Sequence, residues 1–114
     1  MAALGAGEDR RRALRERVLA RNLTLSLSRG SVNLKQSHVE LLVGSLRKLP
    51  SLDGDAVADE IEDLALAGVR IDLRLQPIEL EALASAVICL TEGPRPADPA
   101  FARLLVCVRE AEAR

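Results

Sequence analysis

Aliphatic residues in this chain recur with two different periods, and that alternation between periods constrains the fold more than any other feature. Leu23, Leu25 and Leu27 alternate with Thr24, Ser26 and Ser28, and Val69, Ile71, Leu73 and Leu75 alternate with Arg70, Asp72 and Arg74. Side chains spaced by two point to one face of an extended strand, so each run predicts a strand with one buried side. Elsewhere the apolar positions stand three and four apart, the spacing of one face of a helix. Both periods in one short chain predict an α+β fold: a small two- to three-stranded sheet, strands at about 23–28, 31–35 and 69–75, covered by four to five helices. The alternative is an all-α bundle.

Residues 8–21 lack Gly and Pro, are rich in helix formers and place Leu14, Val18 and Arg21 on one face, which predicts a first helix with a narrow apolar stripe. Arg29-Gly30-Ser31 reads as a turn, and Val32–Lys35 as a second strand closing a hairpin. Ser37 is the expected N-cap of the next helix, with Glu40 completing a capping box and Val39, Leu42, Val43, Leu46 and Leu49 on the core side up to Pro50. Ser51 to Gly54 read as a loop, Asp53 or Asp55 as the cap of a helix carrying Val57, Ile61, Leu64 and Ala65, and Gly68 as its stop. Pro77 is expected to open a helix through Ile78, Leu83, Ala86, Val87 and Leu90. Gly93-Pro94-Arg95-Pro96 reads as a stiff linker before a last helix with Phe101, Leu104, Leu105 and Val108 inward. The expected order is α-β-β-α-α-β-α-α. Residues 1–7 are expected to be disordered and residues 8–114 to form a single globular domain.

Val32-Asn33-Leu34-Lys35 with Val39-Glu40-Leu41 aligns at an offset of 39 residues with Ile71-Asp72-Leu73-Arg74 and Ile78-Glu79-Leu80. This is either a duplicated β-α unit or convergence on a common strand-to-helix grammar. On that pattern the strands 32–35 and 69–75 are expected to run parallel, joined by a helical crossover.

At 114 residues the chain has room for one core. Apolar residues make up 48% and charged residues 29%, a balance that supports burial and argues against general disorder. Phe101 is the single aromatic residue, so the core has to be aliphatic, and stacking on nucleobases or aromatic anchoring at an interface has almost nothing to work with. Apolar runs such as Leu104 to Val108 fall far short of the roughly 20 residues that cross a bilayer. Glu8 and Asp9 follow the first residues at once, which is unlike a secretory signal, so a cytoplasmic location is expected. Cys89 and Cys107 lie inside apolar patterns without a Cys-x-x-Cys spacing and are expected to be buried, reduced thiols.

His38 stands beside a strand end and a helix start, a placement that suits anion contact or acid-base work, but no nucleophile or orienting carboxylate adjoins it in sequence. Asp53, Asp55, Asp59, Glu60, Glu62 and Asp63 fail the calcium-loop pattern, with Ala58 where Gly is needed and Leu64 where Glu is needed, and read as the acidic start and solvated face of a helix. Glu40, Asp72, Glu79 and Glu81 read as surface charges. Phosphate-loop, dinucleotide, nucleophile-elbow and zinc-protease motifs are missing from the sequence. No catalytic, cofactor or metal residue is therefore expected, and the chain is not expected to be an enzyme.

The charge distribution is more informative. Residues 1–50 carry 10 basic and 4 acidic groups, net +6, and residues 51–114 carry 6 basic and 13 acidic, net −7. Arg10, Arg11, Arg12, Arg15, Arg17 and Arg21 concentrate the positive side on the first helix and are the expected partner-binding residues. The expected function is a non-catalytic interaction or accessory domain, an adaptor that self-associates or binds another protein. The alternative is a nucleic-acid-associated regulator that uses the Arg10–Arg21 helix, a reading opposed by the near-neutral whole-chain charge.

Overall fold

A computed structural model describes residues 2–92 and 98–113. The element order is α1 (Ala2–Leu19), β1 (Asn22–Leu27), β2 (Gly30–Lys35), α2 (Gln36–Arg47), α3 (Leu52–Ala67), β3 (Arg70–Asp72), α4 (Pro77–Thr91) and α5 (Pro99–Glu112). The α+β class and the order of elements are those the periodicity predicts, and the three-stranded sheet rules out an all-α bundle. The expected linker Gly93–Pro96 lies outside the described residues.

β1 is the central strand, in the order β2-β1-β3. It forms a tight antiparallel hairpin with β2, Leu23 opposite Leu34 and Leu25 opposite Val32, and runs parallel to β3, with Leu25 opposite Ile71. The expectation that strands 32–35 and 69–75 run parallel is therefore corrected: β3 follows β1, and β2 runs against both. The aligned residues also take different roles, because β2 leads directly into α2 whereas four residues separate β3 from α4. β3 ends at Asp72 instead of Leu75 for a simple reason. β1 turns away after Leu27, so beyond the bond that the Leu73 N–H donates to the Ser26 carbonyl (2.9 Å) no strand remains to pair with.

The alternation has the predicted consequence for burial. Leu23, Leu25, Leu27, Val32, Leu34 and Ile71 are buried on one face, while Asn33, Lys35, Arg70 and Asp72 lie exposed on the other. α2, α3 and α5 rest on the strands, and α4 packs against all three of those helices. α4 is consequently buried over most of its circumference, at Leu80, Ala82, Leu83, Ala84, Ala86 and Val87. Fully burying a Leu, Ile, Val or Phe side chain contributes roughly 1.5–3 kcal/mol, so this aliphatic layer is the main source of stability.

Local chemistry differs from the sequence reading at several helix ends. Ser51, rather than Asp53 or Asp55, caps α3, its Oγ accepting the Asp53 N–H at 3.1 Å. Ser37 does not cap α2. The cap position is Lys35, and its N–H donates to Nδ1 of His38 at 3.0 Å. Pro77 and Pro99 both occupy first-turn positions, where a missing N–H is harmless. Gly68 stands at the end of α3 with φ 175°, an extended conformation open to any residue, so a left-handed glycine stop is not in use. Gly54 belongs to α3 instead of the preceding loop, and there its missing side chain is required: a Cβ would stand 2.6 Å from the Leu46 carbonyl oxygen.

Candidate functional site

α1 differs from every other helix in the fold. Residues 9–18 are all exposed, including Leu14 at 59% and Val18 at 54%. An 18-residue helix is about 27 Å long at 1.5 Å per residue, and its neighbours in the body are chiefly in α2. The whole molecule measures 60 × 33 × 26 Å with a radius of gyration of 15.7 Å, against about 13 Å for a compact chain of this length. The helix thus stands off the body as an arm. It begins at Ala2, six residues before the predicted start.

The helical repeat orders its side chains. At 100° per residue Leu14 and Val18 share one stripe, with Arg10 and Arg17 along one border and Arg11 and Arg15 along the other. Asp9 and Glu16 fall on the opposite side. Among the described residues none of Arg10, Arg11, Arg12, Arg15 or Arg17 forms an ion pair.

Arg21, which follows α1, is engaged internally. Its Nη2 donates to the Ala65 carbonyl at 2.8 Å, in the last turn of α3, and to Oε1 of Gln36 at 3.1 Å, in the first turn of α2. One guanidinium thereby fastens the base of the arm to two helices. Beside it lies a cleft of about 470 Å³ lined by Val18, Val39, Val43, Ala65 and Leu66, with Glu40 and Glu62 also at its walls.

His38 and Asp98, 60 residues apart in sequence, meet at 2.8 Å through Nε2 and Oδ2. Because Nδ1 accepts the Lys35 N–H, the proton is assigned to Nε2, which donates to the carboxylate. The ring also stands edge-on to Phe101, 5.4 Å between centroids at 80°. The Ala100 N–H and then His38 hold the Asp98 carboxyl below its ordinary range. Both imidazole nitrogens are therefore committed, and the pair joins the first turns of α2 and α5 instead of activating a nucleophile.

The acidic run is organised by Arg47. Its guanidinium reaches Glu62 at 2.7 Å, Asp59 at 2.8 Å and Asp55 at 3.9 Å, clamping α2 to α3. These hydrogen bonds, Glu62 first and Asp59 second, hold Arg47 still more firmly charged than usual. Glu60, by contrast, has its carboxyl pushed up by partial burial and by Glu79. No metal-holding group of His, Cys, Asp and Glu occurs among the described residues.

A second cleft, of about 1010 Å³, opens where β1 ends, between Ser26–Ser28, the segment Asp72–Pro77 and the end of α5. Arg74 and Arg109 face it together with Asp72, Glu81 and Glu112, and its lining contains no His or Cys. Both thiols correct the sequence reading. Cys89 is exposed, and Cys107 is half-buried beside Gly30, its thiol pushed up by burial and then by Glu110. Among the described residues no helix is long and apolar enough to cross a membrane. Comparison with known protein families, with curated proteins and with solved structures finds no match for this chain.

Proposed function

We propose that this protein is a non-catalytic interaction module whose contact arm is α1. The observation that carries the reading is the exposed stripe of Leu14 and Val18, bordered on both sides by arginines that form no ion pair among the described residues. An isolated helix of this length is marginal in water, and helices in proteins draw most of their stability from packing an apolar face. A helix already placed on the body by Arg21 but with its stripe uncovered is suited to complete its packing on a partner.

The chemistry of the stripe favours one class of partner. Leu14 and Val18 call for an apolar groove, and two arginine borders call for acidic rims on both of its sides, which is helix-in-groove recognition of an acidic protein surface. Duplex nucleic acid offers the acidic rims without the apolar floor. The arm's contact set is therefore Arg10, Arg11, Arg15 and Arg17 with Leu14 and Val18, while Arg12 lies on the far side of the helix with Asp9 and Glu16. Arg21 contributes by aiming the helix.

The test compares two variants of the full chain, Leu14→Asp/Val18→Asp and Arg11→Glu/Arg15→Glu, in affinity capture from native lysate and in titration with a short DNA duplex at low salt. Loss of the captured protein by both variants supports the reading. Duplex binding that weakens steeply with salt and is unchanged by Leu14→Asp/Val18→Asp replaces it with a nucleic-acid function.

A further inference from the structure

The two edges of the sheet are treated differently. On β2, the outward N–H of Lys35 is taken by His38, and the Ser31 carbonyl lies 4.0 Å from the Cys107 thiol of α5. On β3, Val69 accepts from the Thr24 N–H and Leu73 donates to the Ser26 carbonyl, both at 2.9 Å. Odd-numbered residues thus turn their peptide groups toward β1, and strand alternation turns those of Arg70 and Asp72 to the outer edge. Among the described residues nothing hydrogen-bonds to them there. Their side chains are exposed and, among the described residues, unpaired as well, and Val69 beside them is 53% exposed. An open strand edge is a template for another strand.

We propose that two copies of the chain join antiparallel through β3, about a two-fold axis at Ile71, so that the three-stranded sheet continues into that of the second copy. The charges choose both the occupant and the register. With the axis at Ile71, Arg70 of each copy stands opposite Asp72 of the other, in the narrow pairs that exchange backbone hydrogen bonds. With the axis moved to Asp72 or to Arg70, the two neighbouring registers that also match the outward peptide groups, Asp72 would face Asp72 and Arg70 would face Arg74, or Arg70 would face Arg70. A self-complementary Arg-x-Asp on an open edge therefore fits a second copy in one register and repels the next. The same pairing sets the exposed Val69 opposite Leu73 of the second copy. This interface is independent of the α1 arm.

Sedimentation equilibrium of the full chain over a range of concentrations tests the proposal. Wild type is expected to dimerise, and Arg70→Asp or Asp72→Arg alone to weaken the dimer about tenfold or more, since each replaces two attractive pairs by repulsive ones. The double swap Arg70→Asp/Asp72→Arg is expected to restore it. Circular dichroism confirms that the exposed substitutions leave the fold intact. Hydrogen exchange supplies a readout without mutation: the Arg70 and Asp72 amides are expected to gain protection as concentration rises. A chain lacking residues 1–17 is expected to dimerise as wild type does, which separates this interface from the arm. A monomeric wild type, single reversals without effect, or a double swap without rescue overturns the proposal.

Discussion

Both nitrogens of His38 hold the backbone in place, one as acceptor for the Lys35 N–H and one as donor to Asp98. His38→Ala removes that acceptor and the contact to α5, and is expected to cost about 1–2 kcal/mol, read as a lower thermal midpoint. Asp98→Ala also removes the cap on the Ala100 N–H, 2.9 Å away, for about 1 kcal/mol near neutral pH. Its pH dependence has a definite sign. The folded-state carboxyl titrates below its unfolded value, so its stabilisation is present above the unfolded pKa and is lost as pH falls through the folded one. The gap between Asp98→Ala and wild type is therefore expected to narrow in acid. Glu60 runs the other way. Its raised pKa means that ionisation opposes folding, so Glu60→Gln is expected to be more stable than wild type at neutral pH and to lose that advantage as pH falls through the raised value. Chemical denaturation across the acid range measures both.

At the scale of elements, Gly54 fixes how closely α2 and α3 cross. Gly54→Ala is expected to cost about 1–3 kcal/mol by pushing α3 off the Leu46 carbonyl, a shift that denaturant unfolding reads directly. The elements themselves were legible in the sequence wherever periodicity was unbroken. Leu23, Leu25, Leu27, Val39, Leu42, Ile61, Ile71, Phe101 and Leu104 are all buried, as their spacing requires. What escaped was set by contacts distant in sequence. His38 to Asp98, Arg47 to the acidic run and β3 to β1 all depend on which elements meet, and no local pattern encodes that. Gly54 and Cys89 escaped for a related reason: close helix approach and the outward turn of one helical position follow from packing, while hydropathy alone suggested a loop and a buried thiol. The arginine arm was readable as charge, but the commitment of Arg21 to Ala65 and Gln36 was visible only once α2 and α3 were in place.

For the whole molecule, the body and the arm are energetically separate up to the last turn of α1. Deleting residues 1–17 is expected to leave the unfolding free energy of the body within about 0.5 kcal/mol of wild type in denaturant titration, since no buried side chain is removed among residues 9–17. At dilutions where both chains are monomeric, X-ray scattering is expected to show the radius of gyration falling from 15.7 Å toward about 13 Å. Leu25→Ala, at the centre of the sheet, is expected to cost about 2–5 kcal/mol by the same unfolding measurement.

The double grip of Arg21 has a consequence for anything that α1 binds. A planar guanidinium held by acceptors on two separate helices sets a direction, which a flexible tether would leave free. Whatever groove receives the arm then also receives the rest of the protein at a fixed bearing, so that docking specifies an orientation as well as an address. Replacing Arg21 by Ala would keep the address and release the orientation.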